Sequence, residues 1–155
     1  MDSDRFRYII QDILNSRRFA VVGASRDQSK YGYMVYRTLK DAGYIVYPVN
    51  PNADTIDGDQ VYPLLDNCPE RPDCVVTVVH PEVTYEIVRR AGHLRVPYMW
   101  LQPGSESLPC INEMEAQGIQ SVHSGPCIMV AVRTHPKPAW MHEPRYYATG
   151  GEIQE

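Results

Sequence analysis

The sequence predicts an α/β fold: a three-layer α/β/α domain on a five-stranded parallel sheet, expected in the order 3-2-1-4-5. Three observations predict it. Short apolar, β-branched runs alternate with single amphipathic helical patterns along most of the chain. Residues 17–22 run into Gly23 and a small polar loop before a helical pattern begins, the strand–loop–helix opening of a βαβ unit. Residues 73–79 are nearly continuous in β-branched side chains, as a strand buried on both faces requires.

The elements follow in order. Over residues 4–16, Phe6, Ile9, Ile10, Ile13 and Leu14 share one helical face, with Ser3 as the expected N-cap. The first strand is expected at 18–23. Met34, Val35, Leu39 and Ala42 then line a helix that stops at Gly43, and the second strand occupies 44–49. Residues 54–72 are rich in Asp, Pro and Asn, with 61–65 as a short ordered piece. The third strand, 73–79, ends at His80-Pro81, where Pro81 suits a helix's first turn; Val83, Ile87, Val88 and Ala91 continue that helix to Gly92. A fourth strand is read at 96–101, a helix at 106–117 closed by Gly118, and a fifth strand at 119–123. The periodicity fails after Val132, so the chain divides into a domain at 1–132 and an irregular extension at 133–155.

Composition excludes several classes. With 155 residues, 43% of them hydrophobic, the chain can bury one substantial core. A net charge of -4 argues against nucleic acid as a partner. No apolar run reaches the ~20 residues of a membrane span, and the charged N-terminus lacks a signal core, so a cytoplasmic location is expected. The four cysteines are well separated and form no CxxC pair, so they read as reduced thiols, and no metal site is expected.

The special residues collect at the predicted carboxyl ends of the strands: 23–32, 48–52, 79–81, 102–104 and 124–127. Ligands of open α/β sheets sit there, beside the point where the strand order reverses. On the predicted order the crevice falls between strands one and four. Gly23 permits a sharp turn, and the following helix start offers free amides and a positive dipole end to an anion. Ser25, Arg26 and Lys30 add a hydroxyl and two cations. No G-x-x-x-x-G-K-[ST] P-loop occurs. A dinucleotide fingerprint would show G-x-G-x-x-G and an acid closing strand two. Here the next glycine after Gly23 is Gly32 and the first carboxylate is Asp54, which disfavours NAD. NADP stays open through Arg26 or Lys30.

Val21-Val22-Gly23-Ala24-Ser25, the Lys30-x-Gly32 loop, Tyr47-Pro48-Val49-Asn50-Pro51, the 73–79 strand and Met99-Trp100-Leu101-Gln102-Pro103-Gly104 together resemble the CoA-binding domain family. These are small stand-alone proteins related to the CoA-binding domain of succinyl-CoA synthetase α subunits. The resemblance covers about residues 5–132. It implies a Rossmann-like fold with coenzyme A (CoA) across the strand ends. Gly23, Ser25, Arg26, Lys30 and Gly32 would receive phosphates, with Ala24 and Tyr31 in the same loop and helix start. Pro48, Asn50 and Pro51 would line the next stretch. Val79, His80 and Pro81 would flank the adenosine, and Gln102 and Gly104 the pantetheine. The chain departs from the family at His123-Ser124-Gly125-Pro126-Cys127, where many members carry an Asp-Arg-Cys type segment.

The resemblance implies a protein that binds, carries or senses CoA or an acyl-CoA, without a ligase catalytic domain. Two alternatives belong to other classes. One is an NADP-linked oxidoreductase or redox sensor. The other is a CoA-thiol or acyl-CoA enzyme using Cys127 as a thiolate paired with His123. Free cysteines more often pack as small apolar side chains, and that reading is preferred for Cys127. His80, before a helix start with no nearby carboxylate to orient it, reads as a wall residue. The extension offers a subunit contact, with a second copy or with a partner protein.

Overall fold

In the computed structural model, which describes residues 5–143, β1 (Arg18–Val22) sends Phe19 and Val21 into one core and Ala20 and Val22 into the other. Both faces are therefore covered by helices. The first carries α1 (Arg7–Leu14), α2 (Tyr31–Ala42) and a terminal α5 (Ile128–Thr134); the second carries α3 (Pro81–His93) and α4 (Leu108–Gln117). The remaining strands are β2 (Ile45–Val49), β3 (Thr55–Ile56), β4 (Asp59–Gln60), β5 (Cys74–Thr77), β6 (Tyr98–Leu101) and β7 (Gln120–Val122). Five of the seven form one parallel sheet, β2-β1-β5-β6-β7, and the three-layer fold class is as the sequence predicts.

The order within the sheet differs from 3-2-1-4-5. The third strand of the sheet, β5, lies against β1 and not outside β2, in register Val22↔Thr77. Two causes are visible. Every side chain of β5 is buried, so the strand belongs at the centre. Its entry is pinned to β1, because the Asp73 carboxylate accepts hydrogen bonds from the backbone amides of Arg17 and Arg18, each 3.0 Å long. Among the described residues, the flank of β2 away from β1 carries a single parallel bridge, Val49↔Tyr62. The chain leaves β1 for β2 on one side and returns to β5 on the other. The crevice is thus flanked by β1 and β5, not by strands one and four.

Several local features were not expected. Within 54–72, β3 and β4 make an antiparallel hairpin around Asp57-Gly58, both at positive φ (50° and 86°). Gly92 does not end α3, which continues to His93; a Cβ on Gly92 would instead meet the Gln117 side chain of α4 at 2.2 Å. Helix α5 lies where no periodic element was expected. Beyond it, Trp140 and Met141 are buried in the first core, and Trp140 Nε1 donates to the Asn15 carbonyl at 3.0 Å. That contact is beside the start of β1, at the opposite end of the sheet from the crevice. Ser3 and residues 144–155 lie outside the described residues.

Candidate functional site

Two glycines set the floor of the crevice. Gly23 closes β1 at φ +98°, and a Cβ there would stand 2.4 Å from the Val78 carbonyl oxygen. Gly32, in the first turn of α2, would place a Cβ 1.9 Å from the Gly23 oxygen. The two residues let the start of α2 press on the end of β1, so both serve close backbone approach.

The loop between them is held by its own side chains. Ser25 Oγ accepts from the Asp27 amide at 3.0 Å, while Asp27 Oδ1 accepts from the Ser29 amide at 3.0 Å and hydroxyl at 2.6 Å. These Ser29 bonds hold the Asp27 carboxyl below its usual range. The Lys30 amide donates to the Asp27 carbonyl at 3.0 Å, and Tyr33 and Met34 donate to the Lys30 carbonyl. That leaves the Tyr31 and Gly32 amides without an intrahelical partner at the positive end of α2, and both residues line the crevice.

Two adjoining hollows open over this floor, sharing Gly23, Asn50, Asn52, Val79 and Val83. The polar one, about 820 Å³, is bounded by Ser25, Ser29, Lys30, Tyr31, His80 and Gly104. The other, about 430 Å³, is mostly apolar, walled by Val22, Val49, Leu64, Leu65 and Ile87. Leu64 and Val83 are 59% and 46% exposed, apolar side chains left open at its rim. A polar pair, Asp66 and Arg90, also borders it. The Asp66 carboxyl is held below the usual carboxylate range by its hydrogen bonds from Arg90. A further hollow of about 410 Å³ lies near the C-terminal end of α2 and the chain's extension, where Lys137 Nζ already donates to the Ala42 carbonyl.

Of the residues singled out from sequence, Gly23, Ser25, Lys30, Tyr31 and Gly32 meet at the polar hollow, with Asn50, Val79, His80 and Gly104 around them. Pro51 lines the apolar one. The others stand elsewhere. Ala24 is fully buried beneath the loop, its carbonyl accepting from Asn50 Nδ2 at 2.7 Å. Arg26 is exposed and borders neither hollow. Pro48 lines a separate hollow beside β2, and Pro81 begins α3. Gln102 is only 5% exposed and is occupied structurally: its Oε1 accepts from the Ile128 amide at 2.8 Å, and its Nε2 donates to Cys127 Sγ at 3.3 Å.

His123 and Cys127 have contacts that run elsewhere. His123 Nδ1 bonds Ser124 Oγ at 2.8 Å and the ring packs edge-on to Phe6, whereas Cys127 contacts Gln102. Burial holds His123 below its ordinary 6.5, aided by the charge of Arg5. Burial pushes the Cys68 thiol up to about 12 and Cys74 well above its ordinary range. Among the described residues, no three His, Cys, Asp or Glu side chains gather as a metal site, and no helix is long and apolar enough to cross a membrane.

The residues lining the apolar hollow that sequence reasoning did not single out include Leu64, Val83, Ile87, Asp66 and Arg90. Val83, Ile87 and Arg90 are spaced i, i+4, i+7, so one face of α3 was legible as a stripe. Its use as a pocket wall was not, since periodicity marks Val83 and Ile87 only as the apolar face of a helix.

The fold is a Rossmann-like α/β domain whose crevice joins an apolar slot to a second hollow beside the N-terminus of α2. The CoA binding domain profile matches residues 17–133, and the chain belongs to that family. The ADP-forming acetate–CoA ligase II of Archaeoglobus fulgidus is 35% identical over 89 residues, 54% of this chain but 13% of the ligase. The chain thus spans a small part of the curated ligases it matches. The uncharacterized protein YneT of Bacillus subtilis is 29% identical over 79% of this chain and 90% of its own length. A conserved hypothetical protein from Pyrococcus furiosus superposes with a TM-score of 0.70 at 37% identity, covering 74% of this chain and 97% of that one.

Proposed function

We propose that the chain binds coenzyme A or an acyl-CoA, as a binding, carrier or sensor protein. The observation that carries this reading is the continuity of the two hollows across Gly23. CoA needs an apolar slot for a planar base joined to a polar site for phosphates, with room beyond for a long neutral arm. The apolar hollow suits the base. The Tyr31 and Gly32 amides, Ser25 Oγ and the Lys30 ammonium suit the phosphates. The arm would leave past His80 and Gly104. Family membership and the CoA ligases that share this segment support the same ligand.

In this reading, residues 1–132 form the binding domain, and the described part of the extension, 133–143, lies away from the ligand, available for a subunit contact. CoA is abundant in the cytoplasm, where the reading places the chain. Gly23, Gly32 and Ala24 act by shaping the loop, and Gln102 by holding the start of α5.

The test is a thermal-shift titration of ligand-stripped protein against CoA, dephospho-CoA, NAD and NADP. A ligand specific for the folded state adds about 2.7 kcal/mol at a hundred times its Kd. CoA should raise the melting midpoint, dephospho-CoA should raise it less, and the nicotinamides should leave it in place. A shift with NADP and none with CoA would overturn the ligand assignment. Lys30→Ala should lose much of the CoA shift.

A further inference from the structure

The apolar hollow has one polar corner. Leu65–Asn67 forms a single 3-10 turn, closed by the Leu64 amide donating to Asn67 Oδ1 at 3.1 Å, and this turn packs against α3. Asp66 on the turn meets Arg90 on α3 as a two-pronged pair. Arg90 Nε donates to Oδ1 at 3.1 Å, and Nη2 donates to Oδ2. Among the described residues lining this hollow, Arg90 is the only cation and Asp66 the only carboxylate. An exposed ion pair contributes little to stability, so its position at the slot has more bearing on what the slot accepts.

We infer that Asp66 and Arg90 are specificity-determining residues that read the edge of the bound base, selecting an amino-purine such as adenine. The inference rests on the CoA reading and names how that site chooses its base. The fork leaves the second N–H of Arg90 Nη2, beside the bonded one, free of the carboxylate, and the Asp66 carboxylate, which also accepts from its own backbone amide, keeps an unused lone pair. The pair thus presents a donor beside an acceptor. Adenine presents the complement: a ring nitrogen that accepts beside a 6-amino group that donates. Hypoxanthine, held in the same pose by its ribose and phosphates, reverses both. Its carbonyl oxygen would face the carboxylate, and its ring N–H would face the guanidinium. Because the two side chains hold each other, the reading edge is positioned before the base arrives, which lowers the ordering cost of binding. The apolar walls supply affinity without regard to the base's edge.

The experiment compares the dissociation constants of CoA and its hypoxanthine analogue, in which a carbonyl oxygen replaces the 6-amino group. The full chain is used as wild type, Asp66→Asn, Arg90→Gln and Lys30→Ala. Wild type should prefer CoA by about tenfold, the low end for hydrogen bonds to charged groups at a partly exposed site. Asp66→Asn and Arg90→Gln should each bring the ratio toward one. Lys30→Ala should weaken both ligands together and keep the ratio. Ligand-free melting curves show that each variant is folded. Tight binding of CoA with no preference over the analogue in wild type overturns the inference and leaves the CoA reading standing. So does a preference that survives both Asp66→Asn and Arg90→Gln. No binding of either ligand to wild type overturns both.

Discussion

Gly23 carries two demands that no other residue meets. Its φ of +98° disfavours any L side chain, and a Cβ would collide with backbone, the Val78 carbonyl at 2.4 Å, which cannot swing away. Gly23→Ala should therefore cost about 3 kcal/mol or more, read as a lower urea midpoint at unchanged slope. His123 couples protonation to stability just below neutral pH. It is 6% exposed, and burial and Arg5 hold its folded pKa below 6.5. The unfolded chain takes up that proton first as pH falls. Its contribution is thus fully present above about 6.5, is lost progressively below it, and is gone once pH passes below the folded value. Stability measured from pH 7.5 to 5 should fall less steeply in His123→Asn than in wild type; parallel profiles would refute this.

Among elements, α3 and α4 show that a glycine conflict can be mild. The three atoms nearest to a Cβ on Gly92 all belong to the Gln117 side chain, which is exposed and can change rotamer. Gly92→Ala removes an interior helix glycine, so the expected result is neutral to stabilising, by up to about 1 kcal/mol, in a denaturation curve. Element α4 also depends on its cap. Ser107 Oγ accepts from the Cys110 amide at 3.4 Å, and Ser107→Ala should cost about 1 kcal/mol. The helices and central strands were legible because their apolar residues repeat at 3.6 or run β-branched within a short window. The hairpin at Asp57-Gly58 carries its signal in that dipeptide alone, which a stretch rich in Asp and Pro does not set apart. Helix α5 is seven residues long, too short to show a period.

Across the whole molecule, the crevice end of the sheet and the anchor end are separate. Trp140 lies 8% exposed against Tyr44, with the Arg17 guanidinium 4.8 Å from its ring centre, at the side of the sheet where the strands begin. Trp140→Ala should lower stability by about 3 kcal/mol, as removal of a large buried aromatic does. CoA affinity, measured calorimetrically below the variant's melting point, should stay within twofold. A parallel loss of affinity would show that the two ends are coupled.

The sequence by itself determined the fold class, the polar loop after β1 and much of the lining of the larger hollow, because those residues are neighbours in the chain. Ser25, Lys30, Tyr31 and Gly32 lie within eight positions of one another. Only the tertiary structure decided the strand order and the polar corner of the apolar slot. Periodicity reports which face of a strand is buried and carries no information about the strand beside it. Whether β5 joins β1 or β2 is settled by bonds such as Asp73 to Arg17 and Arg18, 55 or more residues apart. Asp66 and Arg90 are likewise 24 residues apart. One sits on a single turn and the other on the face of a helix, and they meet because that turn packs against α3 beside the crevice.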